Sequence, residues 1–264
     1  MTVNGDPVVR KNLMLGKLSS KGQKFTRRMI LRAAYRGQQI NLPNFLSRNQ
    51  TAIYPEKKLI FNRMQKSGNS TVAAFLSDLI DRGAGDDYDD FKKSMNSAAN
   101  MNLLSLWSLP TFRSFVVVRN PRTRVLSGFL QKIAPGAQDK YSIFEGYGDR
   151  SPEGFLAFLK HLEREALHWN KHFWPQSELL IQPVEQFDQI VKLERLSSDM
   201  KPVLAAIGVN PDLSETLAKP HPLEAKVSGK ITSADSQTGN FYTEEAENIM
   251  KSIFKEDFRM FNYY

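Results

Sequence analysis

Leu59-Ile60-Phe61-Asn62-Arg63-Met64-Gln65-Lys66-Ser67-Gly68-Asn69-Ser70-Thr71-Val72-Ala73-Ala74-Phe75-Leu76 is the stretch on which the reading of this chain turns. It opens on a short apolar run, breaks at Gly68, and resumes with apolar residues at helical spacing. That order predicts a strand, a tight loop and a helix. The loop offers a lysine, a glycine, two hydroxyls and a series of backbone N–H groups to one point. A helix N-terminus already favours anions, because its first amides lack intrahelical partners and its dipole is positive there. The stretch is therefore expected to be an anion cradle for the phosphate-like end of a nucleotide.

The same design recurs from Arg113 to Leu130. Phe115 to Val118 is β-branched and apolar without alternation, as expected of a strand covered on both faces. Asn120 followed by Pro121 reads as a helix N-cap with proline at the first helical position. Val125, Phe129 and Leu130 supply the buried stripe of that helix. In a parallel sheet both loops emerge outside the carboxyl ends of the strands, where such folds bind ligands. Two corners carrying positive charge can then face one ligand. The expected fold class is α/β, a single domain with a central parallel β-sheet flanked by helices.

Working outward, 264 residues are enough for one large domain with a full core. Hydrophobic residues at 41% and charged residues at 24% fit a soluble globular protein. No apolar run approaches the roughly 20 residues of a spanning helix, and Met1 to Arg10 lack the apolar core of a secretory signal. With no cysteine, disulfides, thiolate metal sites and a cysteine nucleophile are excluded. Together these favour a cytoplasmic location. A net charge of +8 and a pI near 9.5 point to anionic ligands.

Residues 1–36 carry nine Lys or Arg against one acid, Asp6. Up to about Ser20 they read as a loose arm. From Lys24 to Tyr35, a basic helix is expected to dock on the domain through Phe25, Met29 and Ile30. No aromatics are interleaved with these charges as a single-strand binder needs, so nucleic acid is not expected as a partner. Gly83 to Asp90 is an acidic loop without EF-hand spacing. Asp139 to Arg150 reads as a long surface loop, and Ser151-Pro152-Glu153 starts a helix running to about Leu167. Leu179 to Ile181 and Ile190 to Leu193 are short apolar runs suited to completing the sheet. Arg195 to Ile207 reads as a helix stopped by Gly208, residues 210–240 as a loop, and Thr243 to Ala246 as the start of a last amphipathic helix.

A Walker A loop needs its lysine directly after the last glycine. Here Lys66 precedes Gly68, which turns the reading away from an ATP-dependent kinase. Asn62 to Thr71 instead resembles the 5′-phosphosulfate loop of sulfotransferases, in particular the membrane-type, glycosaminoglycan-modifying carbohydrate branch. Arg119-Asn120-Pro121 with Arg124 and Ser127 resembles that family's 3′-phosphate motif. His172-Phe173-Trp174-Pro175-Gln176 is similar to a His-Trp-x-Pro-Gln segment of the carbohydrate group, with Phe173 where tryptophan is usual. Phe187 to Glu194 resembles the segment that follows it. The similarity spans about Leu59 to Ile207, with a fainter echo at Asp257-Phe258.

The resemblance implies a P-loop-like sulfotransferase fold over residues 41–264, preceded by the basic arm and helix of residues 1–40. It implies 3′-phosphoadenosine 5′-phosphosulfate as sulfuryl donor, no metal, and a hydroxyl-bearing acceptor of carbohydrate type. Arg63, Lys66, Ser67, Gly68, Asn69, Ser70 and Thr71 match the loop at the donor's 5′ end, with Lys66 set to neutralise the leaving phosphate. Arg119 and Ser127 match the 3′-phosphate site, where a guanidinium fork suits the oxygens as lysine cannot. Arg124 is expected to support that corner through a structural ion pair. Lys226 and Lys230, in a late basic loop, are candidates to close over the nucleotide. The acceptor hydroxyl needs a general base. His172 is the first choice among the four histidines, with His168, Glu145 and Asp139 left open. A nucleotide-dependent kinase and a non-catalytic nucleotide- or acidic-polymer-binding module are the alternative readings.

Overall fold

Strand β1 (Thr51–Tyr54) and strand β2 (Leu59–Asn62) are the first pair of a four-stranded sheet that continues through β3 (Arg113–Val118) to β4 (Gln189–Lys192). The computed structural model describes residues 20–79, 95–134, 147, 149–218 and 233–263. Helix α1 (Ser20–Ala34) and a single turn, α2 (Leu42–Phe45), precede the sheet. Helix α3 (Asn69–Leu79) follows β2, and α4 (Pro121–Lys132) follows β3. Next come α5 (Pro152–His161) and, after β4, α6 (Leu196–Ala206). Helices α7 (Ala234–Phe241), α8 (Glu244–Ile253) and α9 (Lys255–Met260) close the chain. No helix among the described residues is long and apolar enough to cross a membrane.

Strands β2, β3 and β4 run parallel in sequence order, with Phe61 opposite Phe115 and Val116 opposite Ile190. The neighbouring Phe61 and Phe115 rings stack at 4.7 Å. The expected central parallel sheet is found in β2, β3 and β4, whereas β1 pairs antiparallel to β2. Only Pro55 to Lys58 separates these two strands, with Lys58 in the left-handed region at φ 49°. So short a link can only turn the chain back, since a parallel neighbour requires a crossover.

Alternate residues of the strands feed two separate hydrophobic layers. Ile60, Val116 and Val118 pack with residues of α1, α4, α5 and α8. Leu59, Phe61, Phe115, Val117 and Val191 pack with α3 and α6 on the other face. The result is a mixed α/β domain with helices on both sides of the sheet. Because β2 and β3 run parallel, the corners that lead from them into α3 and α4 lie at one end of the sheet.

Other expectations shift on inspection. Leu179 to Ile181 is buried but is not a strand. Side chains hold its backbone instead: Gln50 Nε2 donates to the Leu179 carbonyl and Asn62 Oδ1 accepts the Ile181 N–H. The expected loop over 210–240 contains a 3₁₀ stretch, Pro211–Ala218, and helix α7. Helix α5 ends at His161 and passes into a single wider turn, Leu162–Ala166.

Helix α1 docks through a face only partly shared with the expected one, since Ile30 packs against the core while Phe25 and Met29 do not. Leu31 and Tyr35 are buried, and Arg27 Nη1 donates to the carbonyls of Ala98 at 3.0 Å and Met101 at 2.7 Å. Phe25 and Met29 remain 66% and 47% exposed. Periodicity places residues on a common face, but the partners available decide which face turns inward.

Candidate functional site

The chain leaves β2 at Asn62 and twice enters the left-handed region, at Lys66 (φ 68°) and Gly68 (φ 67°). Glycine suits this backbone at position 68, and a Cβ there would lie 2.6 Å from Leu193 Cδ1, the end of a side chain that would have to shift. The first bond of α3 joins the Val72 N–H to the Gly68 carbonyl at 3.0 Å. The amides of the turn before it therefore point out of the helix N-terminus toward the loop. Lys66 Nζ donates to Gln131 Oε1 at 2.7 Å from the last turn of α4. Arg63 is buried, with Nε on Asn69 Oδ1 at 2.7 Å and Nη1 on the Arg48 carbonyl at 3.0 Å.

The second corner is two residues long and locally specified. Asn120 Oδ1 accepts the Arg122 N–H at 3.0 Å, and Pro121 opens α4 as its sequence predicts. The Arg119 guanidinium is buried and spans the gap between corners. Its Nε donates to Thr123 Oγ1 at 2.9 Å, Nη1 to the Lys66 carbonyl at 3.3 Å, and Nη2 to Asp235 Oδ2 at 2.9 Å. The Asp235 side chain is 66% exposed, so this carboxylate reaches Arg119 from the solvent side. The turn after β4 buttresses both corners. Leu193 touches Gly68, and Glu194 Oε1 accepts the Asn120 N–H at 2.7 Å.

One side chain ties the corners directly. Gln176 is fully buried, and its Oε1 accepts from the Arg119 N–H at 2.9 Å and from Ser67 Oγ at 3.1 Å. Its Nε2 donates to the Arg119 carbonyl at 2.8 Å. Asp257 in turn fixes Gln176, accepting the backbone N–H groups of Gln176 at 2.7 Å and Ser177 at 2.8 Å. Burial raises the Asp257 pKa, while those two amides and the Arg124 charge pull it down. Arg124, fully buried, serves the corner through carbonyls rather than through the expected ion pair. It donates to Gln65 at 3.1 Å, Trp174 at 2.8 Å and Lys171 at 3.3 Å. Burial pushes its pKa down to about 10, with Asp257 opposing the shift and Arg119 adding to it.

The segment carrying His172 is thus held against α4. Phe173 is fully buried, edge-on to Phe158 at 5.0 Å, and a Cβ on Gly128 would come within 2.7 Å of its ring. Asn170 Oδ1 accepts both the His172 backbone N–H at 3.1 Å and Nδ1 at 2.7 Å. A backbone N–H can only donate, so that oxygen is an acceptor and Nδ1 carries the proton. The resulting tautomer leaves Nε2 as the basic nitrogen. His168 is exposed and paired with Glu178 at 2.8 Å. His161 is buried under Tyr147, stacked at 4.8 Å, with Glu165 at 3.3 Å.

The structure thus brings Arg63, Lys66, Ser67, Gly68 and Asn69 into one loop beside Arg119, with Ser70 and Thr71 in the first turn of α3. Ser127 is buried on α4. Lys226, Lys230, Glu145 and Asp139 lie outside the described residues. Sequence reasoning missed Gln131 and Asp235. Gln131 stands 65 positions from Lys66 with no motif around it, so nothing in the linear pattern joins them. Gln176, Leu193, Glu194 and Asp257 lay within segments that resemble the family, but nothing in the linear pattern separates Asp257 from its neighbour Glu256.

A family model described as Sulfotransferase family matches residues 49–264, which include both corners, the His172 segment and Asp257. This chain belongs to the sulfotransferase family. Membership makes the chain a transferase and assigns it sulfuryl transfer in general. No curated protein and no solved structure matches the chain.

Proposed function

We propose that this sulfotransferase takes its sulfuryl group from 3′-phosphoadenosine 5′-phosphosulfate and passes it to a hydroxyl of a carbohydrate. The observation that carries the reading is the contact between the two cationic corners. Arg119 Nη1 lies on the Lys66 carbonyl at 3.3 Å, and Gln176 bonds both Ser67 and Arg119. A nucleotide with anionic groups at both its 5′ and 3′ positions matches two fixed cations at one end of the sheet. The loop from Lys66 to Gly68, left-handed at both ends and with Leu193 packed beside Gly68, suits a backbone cradle for the 5′ end. When bound, the nucleotide supplies the sulfuryl group on a phosphosulfate anhydride.

The chain's own residues then divide the work. Lys66, with the amides of Gly68 to Thr71 and the Ser70 and Thr71 hydroxyls, holds the 5′ end and offsets the charge left on its phosphate. Arg63 and Ser67 are turned inward and hold the loop's shape. Arg119 takes the 3′-phosphate with Ser127, exchanging the exposed Asp235 carboxylate for it. Lys226 and Lys230, outside the described residues, are assigned to the nucleotide by the family resemblance alone. His172 accepts the acceptor's hydroxyl proton at Nε2, held in that tautomer by Asn170. Positioning and charge stabilisation supply most of the acceleration in such transfers. A carbohydrate acceptor rests on the resemblance of residues 172–176 and 187–194 to the carbohydrate branch.

Titration with 3′-phosphoadenosine 5′-phosphate, ATP and heparin tests the proposal. Micromolar binding of the bisphosphate, lost in Lys66→Ala and in Arg119→Ala, is the expected result. Tight ATP binding without affinity for the bisphosphate would overturn the assignment of the donor. Labelled donor presented with a panel of glycans, lipids and small alcohols identifies the acceptor. Turnover that survives His172→Ala with donor binding intact would remove His172 as the base.

A further inference from the structure

Helix α1 carries more on its outer face than its docking requires. Its inner face is already committed through Arg27, Leu31 and Tyr35. On the outside, Phe25 and Met29 stand four residues apart and so share one face. Lys21, Arg28 and Arg32 lie four before, three after and seven after Phe25, so basic side chains border that apolar pair. Lys21, Lys24, Arg28, Arg32 and Arg36 are all exposed, and none forms an ion pair with a described residue. The helix contains no acidic residue.

The element packed against α1 repeats the pattern. Within the 3₁₀ stretch Leu104–Thr111, Leu106 and Leu109 face the core while Leu104 and Trp107 are 79% and 52% exposed. Among the described residues, six large apolar side chains are exposed, and four of them belong to these two adjoining elements. Scattered exposed apolar residues need no explanation, but concentration on one contact pair marks an interaction surface. Beyond the C-terminal end of α1 the surface opens into a groove of about 700 Å³, with Arg32 and Arg36 on its wall.

We propose that the outer face of α1, with the adjoining Leu104–Trp107 turn, docks this protein peripherally on an anionic lipid bilayer. The combination of groups selects this partner. A soluble polyanion would use the lysines and arginines but gains nothing from exposed Phe25, Met29, Leu104 and Trp107. A bilayer interface uses both sets, taking apolar side chains below the headgroups while basic side chains reach phosphate and carboxylate. Tryptophan in particular suits the headgroup level. The groove beside Arg32 and Arg36 offers paired guanidiniums to a headgroup phosphate.

Flotation of the full chain with vesicles of phosphatidylcholine, with and without phosphatidylserine, tests this. The expected result is binding that requires phosphatidylserine and weakens as salt is raised. Phe25→Ser with Met29→Ser should lower partitioning about tenfold or more. Lys24→Ala and Arg28→Ala should each lower it about fivefold. All four positions are at the surface, so the melting temperature should hold in every variant. Three results would overturn the proposal. The first is no binding to phosphatidylserine vesicles at low salt. The second is binding that Phe25→Ser with Met29→Ser leaves unchanged, which would reduce the effect to charge alone. The third is retention on heparin without vesicle binding, which would assign the face to a soluble polyanion.

Discussion

The two strand-to-helix corners do related work by opposite means. The second, at Arg119-Asn120, is short, and an Asn cap with a proline at the first helical position sets where α4 begins, while Gln176 and Glu194 hold the backbone of Arg119 and Asn120. The first, from Arg63 to Gly68, is longer, passes twice through left-handed backbone, and depends on groups brought from far along the chain. Gln131 holds Lys66, Gln176 holds Ser67, Arg124 holds the Gln65 carbonyl and Leu193 closes on Gly68. A corner that must wrap an anion with its backbone cannot satisfy itself locally, so the tertiary structure supplies its bonds. A corner that presents one guanidinium just before a capped helix sets the helix start locally and takes only its backbone bonds from Gln176 and Glu194.

Substitutions can break that contrast. Lys66→Ala should lower turnover about 10²–10³-fold, the scale of losing one preorganised charge-stabilising group. Thermal stability should change little, because the loop keeps its other supports. A melting temperature that falls together with activity would show that Lys66 is structural. Gln176→Ala strips acceptors from Ser67 Oγ and the Arg119 N–H and a donor from the Arg119 carbonyl. A loss of about 1–3 kcal/mol in denaturant unfolding is expected, with weaker bisphosphate binding. Gln176→Glu should recover little, since a carboxylate cannot donate to that carbonyl.

Gly68→Ala forces a Cβ against Leu193 in left-handed backbone and should cost about 1–3 kcal/mol. Adding Leu193→Ala should relieve the clash but not the backbone strain, so a double-mutant cycle in stability separates the two. Asn120→Ala should cost about 1 kcal/mol through the lost cap and leave bisphosphate affinity nearly unchanged, because Gln176 still holds the Arg119 backbone. The smallest effect belongs to Asp235→Asn. Removing the exposed counter-ion from Arg119 should tighten the bisphosphate by up to about fivefold, read by calorimetric titration. Weaker binding would mean that Asp235 orients the guanidinium rather than competing for it.

Much of the scaffold was legible because its signals are local. The buried runs at Leu59 and Phe115 became β2 and β3, and the Asn120-Pro121 pair opened α4 where expected. Ser151 capped α5. The antiparallel β1 went unread because a four-residue strand ending at Tyr54-Pro55 carries too short a pattern to set against its turn signal. Helix α7 went unread because its sequence, with Gly239 and few apolar residues, is a weak helix former that gains its place by packing Ala234 and Phe241 into the core.

The linear order of residues was enough to place two cationic corners at the ends of two buried strands, because hydrophobic runs, caps and breakers act over a few neighbouring positions. Only the folded chain decided what completes them. Gln131, Gln176, Glu194, Asp235 and Asp257 reach the corners through hydrogen bonds and an ion pair, and such contacts between distant positions leave no periodic trace in a single sequence. The same holds for α1, whose inward face was chosen by the carbonyls of Ala98 and Met101, leaving Phe25 and Met29 turned to the outside.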